Sequence, residues 1–233
     1  MRGTAPDKMQ DEPSKARLAR THRLPVLLGA LVGFLVFSPI AQLAGLGRTS
    51  LTIAFLVVLV AAINAVHDRL SWKVSTLVFG VASLFFWLLR LVVDTPLVNV
   101  GADLSGTCLL ALTTLVVFRR IMIADASEFD TLCGAAAVYL LIGMTWAISF
   151  KLIEGLSPGA FGGLVEEPVE RWNQLMYFSL TTLTTLGYGD ISPINPFARL
   201  WSTLEAIAGV FYLTILVARL VAMFRHRRKV DRL

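Results

Sequence analysis

Ten residues late in the chain, Thr181 to Asp190, read TTLTTLGYGD and hold the types and spacing best suited to chemistry. Gly187 and Gly189 flank Tyr188, and glycine alone enters left-handed backbone angles without steric cost. An alternation of right- and left-handed residues would turn successive carbonyls the same way. Thr185 adds a hydroxyl oxygen at the start of the run. Several such strands around one axis would stack rings of oxygen able to replace the water shell of a cation. The plain alternative is a glycine turn between two apolar segments. Nothing suggests covalent chemistry. His22, His67 and His226 lie far apart and match neither a nucleophile nor ligand spacing. Cys108 and Cys133 fall inside apolar runs, where a small buried side chain is the default reading.

The elements that must hold this stretch are membrane helices. Of 233 residues, 56% are hydrophobic and 16% charged, where a soluble domain averages about 25% charged. Mean hydropathy is +0.71. The net charge of +5 would invite a nucleic-acid reading in a soluble protein. Here the cations cluster at the ends of apolar runs, as the positive-inside rule requires. Apolar runs cover about residues 24–44, 49–66, 74–93, 96–118, 131–152 and 197–224. Each is near the ~20 residues that a crossing helix needs. Residues 1–23 are polar and basic, and they read as a tail rather than a signal peptide. Basic loops alternate with loops carrying Asp94, Glu154, Glu166, Glu167 and Glu170, so both termini are expected inside. From Pro168 a further helix begins, too short to cross. It reads as a re-entrant half-helix, allowed only where protein buries it. Its C-terminal end would present partial negative charge to a dehydrating cation.

The TTLTTLGYGD run, with its threonine pair, following aspartate and flanking apolar segments, resembles the pore loop of tetrameric potassium channels. The resemblance covers about Leu132 to Arg228 and is to the bacterial six-span type without a charged voltage sensor. It implies an all-α membrane protein: six transmembrane helices with a re-entrant pore helix and selectivity filter between spans five and six. The expected layout is a cytoplasmic N-terminal tail (1–23), a four-helix front domain (24–120), an interfacial linker (121–130), a pore domain (131–224) and a basic cytoplasmic tail (225–233). By resemblance, Thr185, Leu186, Gly187 and Tyr188 would offer carbonyls to K⁺, and the Thr185 hydroxyl would line the innermost site. Gly189 would turn the chain outward, and Asp190 would brace the filter from behind. Tyr177 and Phe178 stand where many relatives carry two tryptophans. Tyr177 can donate to Asp190, whereas Phe178 has no donor for Tyr188. Leu186 replaces a common valine. Gly209, 20 residues after Gly189, is either a gate hinge or a point of close packing.

With one such loop per chain, the resemblance implies a homotetramer in the inner membrane, with membrane lipids as partners. K⁺ is the permeant ion, with no cofactor, nucleic acid or organic substrate, and the protein is not an enzyme. The C-terminal cations suit anionic headgroups, although orientation alone accounts for them. No soluble sensing domain is expected beyond Leu233. Span four holds no basic residue before Arg119, so conventional voltage gating is not expected. Arg90 and Asp103, in the outer parts of spans three and four, are expected to pair structurally. The expected function is passive K⁺ transport. The alternatives are a weakly selective cation channel or modulatory pore subunit and, behind these, a K⁺ transporter subunit.

Overall fold

A computed structural model describes residues 23–46, 48–65, 70–93, 95–123, 128–165 and 167–230. The expected N-terminal tail therefore lies, up to residue 22, outside the described residues. The regular elements among the described residues are helices and one two-residue strand pair. In order, the elements are α1 (Arg23–Leu43), α2 (Arg48–Ala65), α3 (Leu70–Val92), α4 (Pro96–Ile123), α5 (Glu128–Leu156), β1 (Phe161–Gly162), α6 (Pro168–Leu183), β2 (Ser192–Pro193) and α7 (Pro196–Val230). Among the described residues, four helices are long and apolar enough to cross a membrane: Arg23–Leu43, Pro96–Met122, Phe129–Leu156 and Pro196–Val221. Shorter apolar stretches, Ile53–Ala65 and Val74–Arg90, lie in α2 and α3.

At two expected boundaries the chain is helical. The linker expected at 121–130 is mostly the ends of two helices, with only 124–127 outside the described residues. Helix α4 continues because Ile121 is buried in the core. The Arg219 guanidinium donates to the Met122 carbonyl, and a cation suits the carbonyl end of a helix. The basic tail expected from residue 225 is also helical, since α7 runs to Val230. Arginine and lysine are good helix formers and favourable near a C-terminal end.

Spacing on α1 shows how the helices pack. Leu24, Leu27, Leu31, Phe34, Ser38 and Ala41 are buried on one face, while Val26, Val32, Val36 and Ile40 stay exposed. That buried face meets α2, α5 and α6 of the same chain. Phe34 touches Trp172 of α6 with ring centroids 6.4 Å apart. Ser38 donates to the Asn173 side chain, which in turn donates to Gln42 at 2.6 Å. Helix α4 lies along α3 and α5. Helices α1 and α4 thus pack on α5 of their own chain, and α1 on α6 as well. Arg120 reaches the Ala65 carbonyl at the end of α2, at 3.4 Å.

The expected Arg90–Asp103 pair is present at 3.7 Å, but Lys151 of α5 sits closer, 2.5 Å from the same carboxylate. Asp103 is buried. Replacing it by asparagine leaves two cations facing a neutral amide. Breaking a fully buried pair costs ~3–5 kcal/mol. Lys151 keeps some solvent access, so Asp103→Asn should destabilise by about 2–3 kcal/mol. Denaturant unfolding in micelles checks this, and an unchanged midpoint would contradict it.

The loop after α5 is tied at several points. The Glu154 carboxylate accepts from the amides of Gly159 (2.8 Å) and Phe161 (3.1 Å). Strands β1 and β2 pair antiparallel, Phe161 with Pro193 and Gly162 with Ser192. This joins the loop before α6 to the segment after Asp190. Glu167 caps α6 by accepting from the Glu170 amide at 2.6 Å, satisfying one of the orphan donors of a helix start.

Candidate functional site

Helix α6 ends at Leu183, and its C-cap Thr184 donates its amide to the Leu180 carbonyl. The next amides also turn back toward the helix. Thr185 donates to the Thr182 carbonyl at 2.9 Å, Leu186 to Thr181 at 2.8 Å and Gly187 to Thr181 at 3.2 Å. The backbone φ is +59° at Thr185, +49° at Gly187 and +82° at Gly189, whereas Leu186 and Tyr188 keep negative φ. The stretch therefore alternates in hand, and amides held toward α6 leave the carbonyls to face the other way. A left-handed threonine is unusual, because its branched Cβ crowds the backbone. Such strain, of order 1–3 kcal/mol, collects at functional sites. Residues 184–190 are all exposed in the single chain.

Tyr177 lies against this stretch. Its ring stacks on Tyr188, with centroids 6.2 Å apart and planes 6° apart. Its hydroxyl donates to Asp190 at 3.2 Å, the bond expected from sequence. Phe178 points elsewhere, buried against Phe150 (5.1 Å) and Phe161 (5.4 Å). It braces α6 against α5 and the loop after it, not against Tyr188. Tyr177→Phe keeps the stacking and removes the link to Asp190. In the channel that the resemblance implies, its expected result is faster loss of current during sustained opening at unchanged thermal stability, read in planar bilayers. Wild-type current decay would remove Asp190 bracing from the account.

Gly209 of α7 packs directly on the end of α6. A Cβ added there would lie 2.3 Å from the Leu183 carbonyl oxygen. The same oxygen accepts from the Tyr139 hydroxyl of α5 at 3.3 Å. Helix α7 is continuous through Gly209. Lower on α7, the Tyr212 hydroxyl donates to the Ala135 carbonyl at 2.6 Å, fixing α7 to α5.

Sequence reasoning missed two contributors. Gly163, at φ +86°, lies so close that an added Cβ would be 2.2 Å from the Asp190 carbonyl oxygen. Only a glycine permits both the angle and the approach, and nothing in the local sequence announces that contact. Glu205 is fully buried on α7, with its Oε1 2.5 Å from the Ser179 hydroxyl of α6. Its signal was available: an acid inside an apolar span marks a functional position by default.

Comparison with known proteins agrees with this geometry. Residues 131–226 match a family described as "Ion channel". An inward rectifier potassium channel of Paramagnetospirillum magnetotacticum is 30% identical over 91 residues, 37% of this chain and 27% of the relative. A voltage-gated potassium channel of Escherichia coli is 25% identical over 119 residues, 51% of this chain and 26% of the relative. Two-pore potassium channel 5 of Arabidopsis thaliana is 29% identical over 84 residues, 36% of this chain and 18% of the relative. The chain thus spans about a quarter of the length of the first two relatives. Motif, matched segment and relatives point the same way: residues 131–226 are similar to an ion-channel family, and the relatives that share this segment are potassium channels.

Proposed function

We propose that the chain is one subunit of a passive K⁺ channel in the inner membrane. Identical copies, four by resemblance, surround an axis lined by Thr185, Leu186, Gly187 and Tyr188. The observation that carries this reading is the alternating hand of Thr185 to Gly189, with the amides held by Thr181 and Thr182. That backbone aims oxygens at a shared line, where they substitute for an ion's hydration shell. The exposure of Leu186 and Tyr188 in one chain supports an assembly, because neighbouring copies would cover them. Six crossings, α6 as a re-entrant pore helix and cytoplasmic termini complete the arrangement. Residues 24–120 form the front domain and 131–224 the pore. The permeant ion is the only ligand, membrane lipids surround the assembly, and no covalent step occurs. Gly189 and Asp190 complete the outer end of the filter, and Gly209 supports the inner helix where a gate would bend.

A second reading, weak cation selectivity, has one observation in its favour. Phe178 is committed to Phe150 and Phe161, so it gives Tyr188 no lateral brace. Purified protein in planar bilayers under opposed K⁺ and Na⁺ gradients separates the two. A reversal potential that follows K⁺ supports the first reading, and one between the two cations supports the second. The first also expects a native mass of about four 25.5 kDa chains. A monomer in lipid would remove both.

A further inference from the structure

Three helices meet at Ser179, directly behind the stretch that begins at Thr185. The Ser179 hydroxyl lies 2.7 Å from the Gly143 carbonyl of α5 and 2.5 Å from Glu205 Oε1 of α7. Ser179 and Glu205 are both fully buried within one chain, so a neighbouring copy can add no partner. A serine hydroxyl has one proton, and a carbonyl oxygen only accepts. When Ser179 donates to Gly143, the second contact needs its proton from the carboxyl. Glu205 Oε2 is buried with no hydrogen-bond partner among the described residues. No ion pair among the described residues reaches Glu205. A buried carboxylate with a bare oxygen and no counter-charge is far costlier than a neutral acid in the same place. The other titratable group at this junction is Tyr139 of α5, already engaged with the Leu183 carbonyl.

We propose that Glu205 is a neutral carboxylic acid that donates to Ser179, forming a relay from α7 through α6 to the Gly143 carbonyl that positions the selectivity filter. Ser179 lies two residues before Thr181, whose carbonyl receives the amides of Leu186 and Gly187. The relay holds the register of α6 against α7, and Thr181 passes that register to the filter. Glu205 is thus a positioning residue and touches no ion. The effect on selectivity rests on the proposed pore, whereas the proton on Glu205 does not.

The test uses the full-length protein in liposomes at neutral pH. The infrared difference between wild type and Glu205→Gln should show loss of a protonated carboxylic-acid carbonyl band. Loss of a carboxylate pair of bands instead would overturn the proposal. In flux assays, Glu205→Leu and Ser179→Ala should each lower K⁺ over Na⁺ selectivity by about tenfold, a loss typical of removing a group that orients an ion's ligands. Glu205→Gln, which keeps an N–H donor, should restore most of what Glu205→Leu loses. Wild-type selectivity in Glu205→Leu would remove the positioning role. Absence of conduction in the wild type would instead count against the pore and leave the infrared result to decide the proton.

Discussion

Gly187→Ala should silence K⁺ flux while leaving the subunit folded. The reason is a separation between fold and function at this residue. Gly187 sits at φ +49°, and an added Cβ would meet nothing within 4 Å in its own chain. The folding cost is therefore the left-handed penalty of an L-residue alone, about 1–2 kcal/mol. That penalty is relieved by rotating φ to negative values, which turns a neighbouring carbonyl away from the line of oxygens. Identical copies would carry the defect at every position around the axis. Flux into liposomes should fall by about a hundredfold, the upper end for losing a group that orients ion ligands. The thermal midpoint should move little. Retained K⁺ selectivity in a folded Gly187→Ala protein would show that these carbonyls do not hold the ion.

Gly209→Ala should act the other way, through the fold first. The sign of the stability change distinguishes the two roles expected for this glycine. A glycine kept only for bending lowers helix stability, and alanine would raise it by about 1 kcal/mol. A glycine kept for close approach gives the opposite result. The added Cβ would lie 2.3 Å from a backbone oxygen and 3.2 Å from its carbon, atoms that cannot rotate away as a side chain can. Either α7 or the end of α6 must shift. Overpacking of this kind costs about 1–3 kcal/mol, and the shift would reach Thr185 two residues beyond Leu183. We expect destabilisation by about 3 kcal/mol together with altered conduction, checked by denaturant unfolding and single-channel recording. A more stable Gly209→Ala protein would favour the hinge.

The legible parts of the molecule share one property: a few neighbouring residues determine them. Glycines at alternate positions fix the hand of residues 187 and 189, and the apolar runs fix where helices lie. The Tyr177–Asp190 bond was legible through the resemblance, because Tyr177 stands where many relatives carry a tryptophan and keeps a donor there. What escaped needed the relative placement of distant helices. Asp103 was paired with Arg90 by depth, yet the rotation of α5 brings Lys151 nearer. The helical course of residues 121–123 likewise follows from burial of Ile121 against distant helices, which carries α4 onward. Glu205, Ser179 and Gly143 come from three helices, and no local pattern could place them together.

The packing of α1 on α5 and α6 of its own chain has a consequence for biogenesis. In the proposed assembly, each chain would complete this packing by itself before meeting another. Only the last encounter then depends on concentration. In the proposed ring, a subunit stripped of its first four helices would bare its own Asn173 and Trp172, which α1 covers in the single chain.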